Sequence, residues 1–148
     1  MKKVVLLVFL FSVFGTALMF SQDQPSPFSW EIKKNGKLWS GDAIYKGKTF
    51  DETWSATIKT LRNIDLRAAG TDKDSGTMTA VMVATDGDKY PFELLIEKTD
   101  EGTSISVLDR NAYKDMFGGY KKWYKRILEG VAVTLYGEDV IPKKGKKK

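Results

Sequence analysis

The spacing of apolar residues changes character several times along the chain. Behind the two lysines of Met1-Lys2-Lys3, residues 4–14 form an eleven-residue stretch almost without polar side chains. Phe50, Trp54, Ile58 and Leu61 then fall four, four and three residues apart, the spacing of one helix face, while Glu52, Lys59, Arg62 and Asn63 lie mostly elsewhere. Over residues 89–98 the period drops to two. Tyr90, Phe92, Leu94 and Ile96 alternate with Glu93, Leu95 and Glu97, as a half-buried strand requires. Met78, Ala80 and Met82 share a face of 77–85, and Ile105 and Val107 share a face of 103–110. Helical spacing returns at Tyr120, Tyr124, Ile127, Val131 and Leu135, with Lys121, Lys122, Lys125 and Arg126 on the solvent side.

Turn residues punctuate these segments. Asn35-Gly36 sits between two short runs, Trp30-Glu31-Ile32-Lys33 and Lys37-Leu38-Trp39, and favours the positive φ angles of a tight hairpin. That predicts a small hairpin or extended arm, with Ala43-Ile44-Tyr45 as a separate short strand. Thr49-Phe50-Asp51-Glu52 is a capping box, so the first helix starts there and ends near Asn63. A strand over 65–69, then turns at 70–76, 86–88 and 99–102, delimit four successive strands, and such short connections imply an antiparallel meander. The expected fold is α+β, a two-layer domain in which an antiparallel β-meander carries two helices on one face in the order β-α-β-β-β-β-α.

Three segments carry a family resemblance: Thr49-Phe50-Asp51-Glu52-Thr53-Trp54 with Leu61, Asp72-Lys73-Asp74-Ser75-Gly76-Thr77-Met78-Thr79-Ala80, and Glu101-Gly102-Thr103-Ser104-Ile105-Ser106-Val107. Together they resemble a group of small bacterial envelope domains. In that group a helix bearing Trp and Leu precedes a D-K-x-x-G-x-I/M-x-A hairpin and a T-x-I-x-V strand. Some members are similar to the helix-grip domain in the lipoprotein C component of the outer-membrane β-barrel assembly machinery. Over about residues 43–135 the resemblance implies a helix-grip or TBP-like arrangement and a binding or scaffolding role. Unlike the lipoprotein members, this chain has no cysteine to lipidate.

Composition narrows the chemistry. The 148 residues contain no Cys and no His, which removes disulfide scaffolds, Cys/His zinc sites, imidazole bases, thiol nucleophiles and histidine-ligated haem. The apolar run behind two lysines makes residues 1–21 a secretory signal peptide. Ala17 and Ser21 offer cleavage positions, and Ser21 leaves the more natural polar start, with 22–29 an extended leader. The alternative is an uncleaved anchor, but a span of about 20 apolar residues is reached only by including Ser12, Gly15 and Thr16. Residues 30–140 form one domain and 141–148 a disordered lysine-rich tail. The expected location is periplasmic or secreted. The net charge of +5 belongs to the ends. Of 24 Lys and Arg, two lie in the first three positions and five in the last six, leaving 17 against 19 acids over residues 22–142.

Candidate sites are few. Asp72-x-Asp74-x-Gly76 and Asp86-Gly87-Asp88 suggest calcium, but a calcium loop needs Gly at its sixth position and Glu at its twelfth, where Val83 stands. Hairpin turns account for them better. Glu93 and Glu97 are about 13 Å apart on one strand at about 3.3 Å per residue, too far for the roughly 5 to 9.5 Å of a glycosidase pair. Phosphate-loop, dinucleotide and nucleophile-elbow motifs are absent from the sequence. Asp109 continues the phase of Ile105 and Val107, to pair with Arg62, Arg67 or a lysine, or to mark a polar spot at the mouth of a groove. Trp54, Met78, Met82, Tyr90, Phe92, Tyr120 and Tyr124 either pack as core or line that groove as a lipophilic site. Lys121, Lys122, Lys125 and Arg126, with tail residues Lys143, Lys144, Lys146, Lys147 and Lys148, form either a solvated face or a contact for anionic lipid, cell-wall polymer or an acidic protein. No cofactor, metal or nucleic acid is expected. The sequence therefore predicts a non-enzymatic binding or assembly-adaptor protein of the bacterial envelope that holds a protein partner or apolar ligand. The alternative is an envelope hydrolase or transferase using carboxylate or lysine chemistry near Asp109.

Overall fold

The computed structural model describes residues 25–36, 38–83, 85–108 and 120–142, and of Tyr120 the backbone only. The expected signal peptide, Asp109 and the tail from Lys143 onward lie outside the described residues. Six strands form one antiparallel sheet: β1 (Phe28–Asn35), β2 (Leu38–Lys46), β3 (Arg67–Asp72), β4 (Thr77–Val83), β5 (Lys89–Thr99) and β6 (Gly102–Leu108), in the order β1-β2-β6-β5-β4-β3. Two helices, α1 (Phe50–Asn63) and α2 (Tyr120–Tyr136), pack on one face. The α+β architecture matches the expectation, with one more strand at the start. The hairpin and the short strand at Ala43-Ile44-Tyr45 are a single feature, because β2 runs unbroken from Leu38 to Lys46 and pairs with β1 on one side and β6 on the other.

The turn joining β1 and β2 is displaced by one residue from the Asn-Gly position. Asn35 pairs with Leu38, so Gly36, at φ 61°, opens the two-residue loop. A loop centred on Asn35-Gly36 would set Lys34 opposite Lys37. The observed register sets Lys34 opposite Trp39 instead, with the Lys34 ammonium 5.3 Å from the ring centre.

The period-two reading holds in β4, β5 and β6, whereas the strand expected over 65–69 runs instead from Arg67 to Asp72, two residues into the expected turn, and is exposed throughout. Tyr45, Met78, Ala80, Phe92, Leu94, Ile96, Ile105 and Val107 are buried beneath the helices. Thr79, Glu93, Leu95 and Ser106 lie on the opposite face, which no described helix covers. β1 begins at Phe28, whose ring stacks on Tyr45 at 5.4 Å, so packing starts inside the expected leader.

The two helices meet through small side chains. Thr53, Ala56, Thr57 and Thr60 of α1 are buried, a stripe that apolar spacing alone did not single out. Gly130 of α2 is the matching gap, since a Cβ there would stand 2.6 Å from the Thr60 methyl. The Thr60 and Thr134 hydroxyls then bond at 3.2 Å across the contact.

Candidate functional site

The residues expected to line a groove divide by depth. Met78, Phe92 and Tyr124 are at most 1% exposed, and Trp54 is 6% exposed. Phe92 and Tyr124 meet edge to face at 5.9 Å, while Trp54 stacks on Phe50 at 5.7 Å, so these rings spend their surfaces on one another. Met82 and Tyr90 pair across β4 and β5 and are half-buried at the sheet end. The two turn-borne acid pairs serve their turns. Asp72 Oδ1 accepts from the Asp74 and Ser75 N–H groups, and Asp86 Oδ1 accepts from the Asp88 N–H. Among the described residues no three acids converge as a metal would need.

The basic residues of α2 behave differently, and the fold fixes where they sit. Tyrosine hydroxyls tie α2 to β2 along its length: Tyr124 donates to the Trp39 carbonyl at 3.2 Å, Tyr45 to the Leu128 carbonyl at 2.9 Å, and Tyr136 to the Lys46 carbonyl at 2.7 Å. Gly41 permits the approach, because a Cβ there would already lie 3.3 Å from Tyr124 and Leu128. Burial pushes the Tyr45 phenol well above its ordinary value, with Tyr136 adding to the shift. The helix is thereby fixed over the β1–β2 hairpin.

With α2 so placed, Lys121, Lys122, Lys125 and Arg126 occupy its first two turns and face outward. Two of the four lie over aromatic rings. The Lys125 ammonium is 5.8 Å from the Trp30 ring and the Arg126 guanidinium is 4.8 Å from the Trp123 ring. Trp30, Trp39 and Trp123 are half-buried. The result is a patch of three tryptophans, each with a cation above it, spread over the hairpin and the start of α2.

This charge arrangement is locally unfavourable. A helix N-terminus carries the positive end of the macrodipole and prefers acids, yet the first turn of α2 has none. Lys121 with Lys125, and Lys122 with Arg126, are like-charge pairs four residues apart, each costing about 0.2–0.5 kcal/mol. Glu129 answers one of them, at 3.6 Å from Lys125. By contrast, a hollow of about 640 Å³ at the start of α1, lined by Phe50, Lys73, Gly76, Ile96 and Lys98 among others, contains a cation that is already matched. Lys73 bonds Asp51 at 2.7 Å and holds that carboxyl below its usual range, with Lys98 adding to the effect. Excess positive charge therefore gathers on α2.

Sequence reading found the four cations but not the tryptophans beside them. The signal for Trp123 was present, since Arg126 follows it at helical spacing, whereas the Trp30–Lys125 contact joins elements far apart in the chain. No protein-family model matches the chain, and comparison with curated proteins gives no significant match. Among the described residues no helix is long and apolar enough to cross a membrane.

Proposed function

We propose that this chain is an exported, non-enzymatic binding or assembly-adaptor protein of the bacterial envelope that docks through the start of α2 and the adjoining hairpin onto an anionic surface. One observation carries the reading: Lys121 and Lys122 fill a first turn that electrostatics would fill with acids, and Lys125 and Arg126 extend the charge into the second turn. Departures from local preference mark positions whose residues answer to something other than the fold. Tryptophan beside lysine and arginine suits a boundary where apolar stems are sheltered and charged heads meet phosphate or carboxylate. Export rests on the residue pattern of 1–21, and the mass of the protein recovered outside the cytoplasm tests it.

Vesicle co-sedimentation tests the docking. The protein should bind vesicles containing phosphatidylglycerol and not those of phosphatidylcholine alone, and raised salt should release it. At about 1 kcal/mol per near-surface charge, Lys122→Ala with Arg126→Ala should weaken binding about 30-fold. Equal binding to neutral vesicles, or binding indifferent to these residues, contradicts the proposal.

A further inference from the structure

The sheet ends in two edges of different design. β3 is six residues long, exposed along its whole length, and broken by a register shift between Ala68 and Gly70. A bulge of that kind frustrates the addition of another strand. β1 has eight residues in uninterrupted register with β2 and carries the apolar Phe28, Trp30 and Ile32. Among the described residues no strand pairs with its outer side, and such an edge is open to pairing.

The hydrogen-bond phase of β1 identifies which of its backbone groups face away from β2. Lys46 N–H donates to the Pro27 carbonyl at 2.9 Å, so by antiparallel alternation Ser29, Glu31 and Lys33 turn their backbone groups toward β2. Phe28, Trp30, Ile32 and Lys34 turn theirs outward; the Ser26 hydroxyl already bonds the Phe28 carbonyl at 2.6 Å and accepts from its N–H at 3.4 Å, which leaves Trp30, Ile32 and Lys34 to pair. We propose that β1 is a homodimerisation edge: two copies pair antiparallel about a twofold axis through Ile32. In that register Ile32 faces Ile32, Trp30 faces Lys34 of the second copy, and Glu31 faces Lys33 in the non-hydrogen-bonded position, where side chains approach most closely. The register is specified by charge. Sliding one step either way along the permitted phase sets Glu31 against Glu31 or Lys33 against Lys33. Within one copy Glu31 and Lys33 already lie together at 2.5 Å on the outer face, so Lys33 presents a neutralised rather than a repelling edge. The twofold axis leaves both α2 helices on the same side of a joined sheet. The dimer does not depend on what those helices bind.

Sedimentation equilibrium on the exported protein, produced from the full sequence, tests this from about 1 μM to about 1 mM. The wild type should show a monomer–dimer equilibrium. Lys33→Glu should weaken it about tenfold or more, because the wrong pair occurs twice, and adding Glu31→Lys should restore it. Ile32→Pro removes an outward N–H without touching the β1–β2 ladder, and should give a folded monomer by circular dichroism. A wild type that stays monomeric, including one that takes up another protein's strand instead, overturns the proposal. So does a dimer that ignores Lys33→Glu, or a double reversal that fails to restore pairing.

Discussion

α1 and α2 cover the same sheet and bury comparable faces, yet their ends are written in opposite terms. α1 starts with Thr49 and Glu52 in a reciprocal capping box, has Asp51 and Glu52 in its first turn, and carries Arg62 in its last. Every one of those choices complements the helix dipole. As described from Tyr120, α2 has no acid in its first turn and no base in its last; Lys121 and Lys122 stand against the dipole, and Lys125 and Arg126 follow four residues later. Its stability comes instead from tertiary contacts: buried Tyr124, Ile127, Leu128 and Val131, and the tyrosine bonds to β2. The difference is that the end of α1 serves the helix itself, whereas the start of α2 carries charges its own helix does not favour.

The sharpest way to break the shared part of the comparison is at the crossing point. Gly130→Val must displace the Thr60 methyl that a Cβ would meet at 2.6 Å, and should cost about 1–3 kcal/mol in denaturant unfolding. Removing the advantage peculiar to α1 comes next. Thr49→Ala deletes the acceptor for the Glu52 N–H and should cost about 1 kcal/mol. The Thr49 N–H and hydroxyl hold the Glu52 carboxyl below its ordinary range, and Lys48 adds to this. A depressed carboxyl contributes stability that is complete above the unfolded pKa and is lost as pH falls through the folded value. The wild type should therefore lose stability on acidification, and Thr49→Ala should lose less of it over the same titration.

The α2 anchors give the corresponding effect at high pH. Desolvation, with Glu52 adding, pushes Tyr136 up to about 12, and Tyr45 is raised by burial. A raised phenol keeps its full contribution below the unfolded value of about 10 and loses it as pH climbs toward the folded one. Alkaline unfolding should begin above about pH 10. Tyr45→Phe should cost about 1 kcal/mol at neutral pH, through the bond to the Leu128 carbonyl, and should reduce the alkaline loss.

Much of this fold is legible along the chain because its signals are local. The capping box, the alternation of Tyr90 to Ile96 and the spacing of Tyr124, Ile127 and Val131 each depend on residues within a few positions of one another. The threonine stripe of α1 was not legible, because the burial of Thr60 depends on Gly130, seventy residues later, letting α2 come close. The candidate surface divides in the same way. Lys121 to Arg126 declare themselves as a charge cluster, while the placement of Trp30 beneath Lys125 needs β1 and α2 brought together.

The central claim is that the start of α2 is arranged for binding and not for its own stability. Lys121→Glu with Lys122→Glu gives α2 the acidic first turn that α1 has, and both properties can be read on the same preparation. The account predicts a gain of about 0.5–1 kcal/mol in unfolding free energy, together with loss of binding to phosphatidylglycerol vesicles. Lower stability with binding unchanged would contradict it.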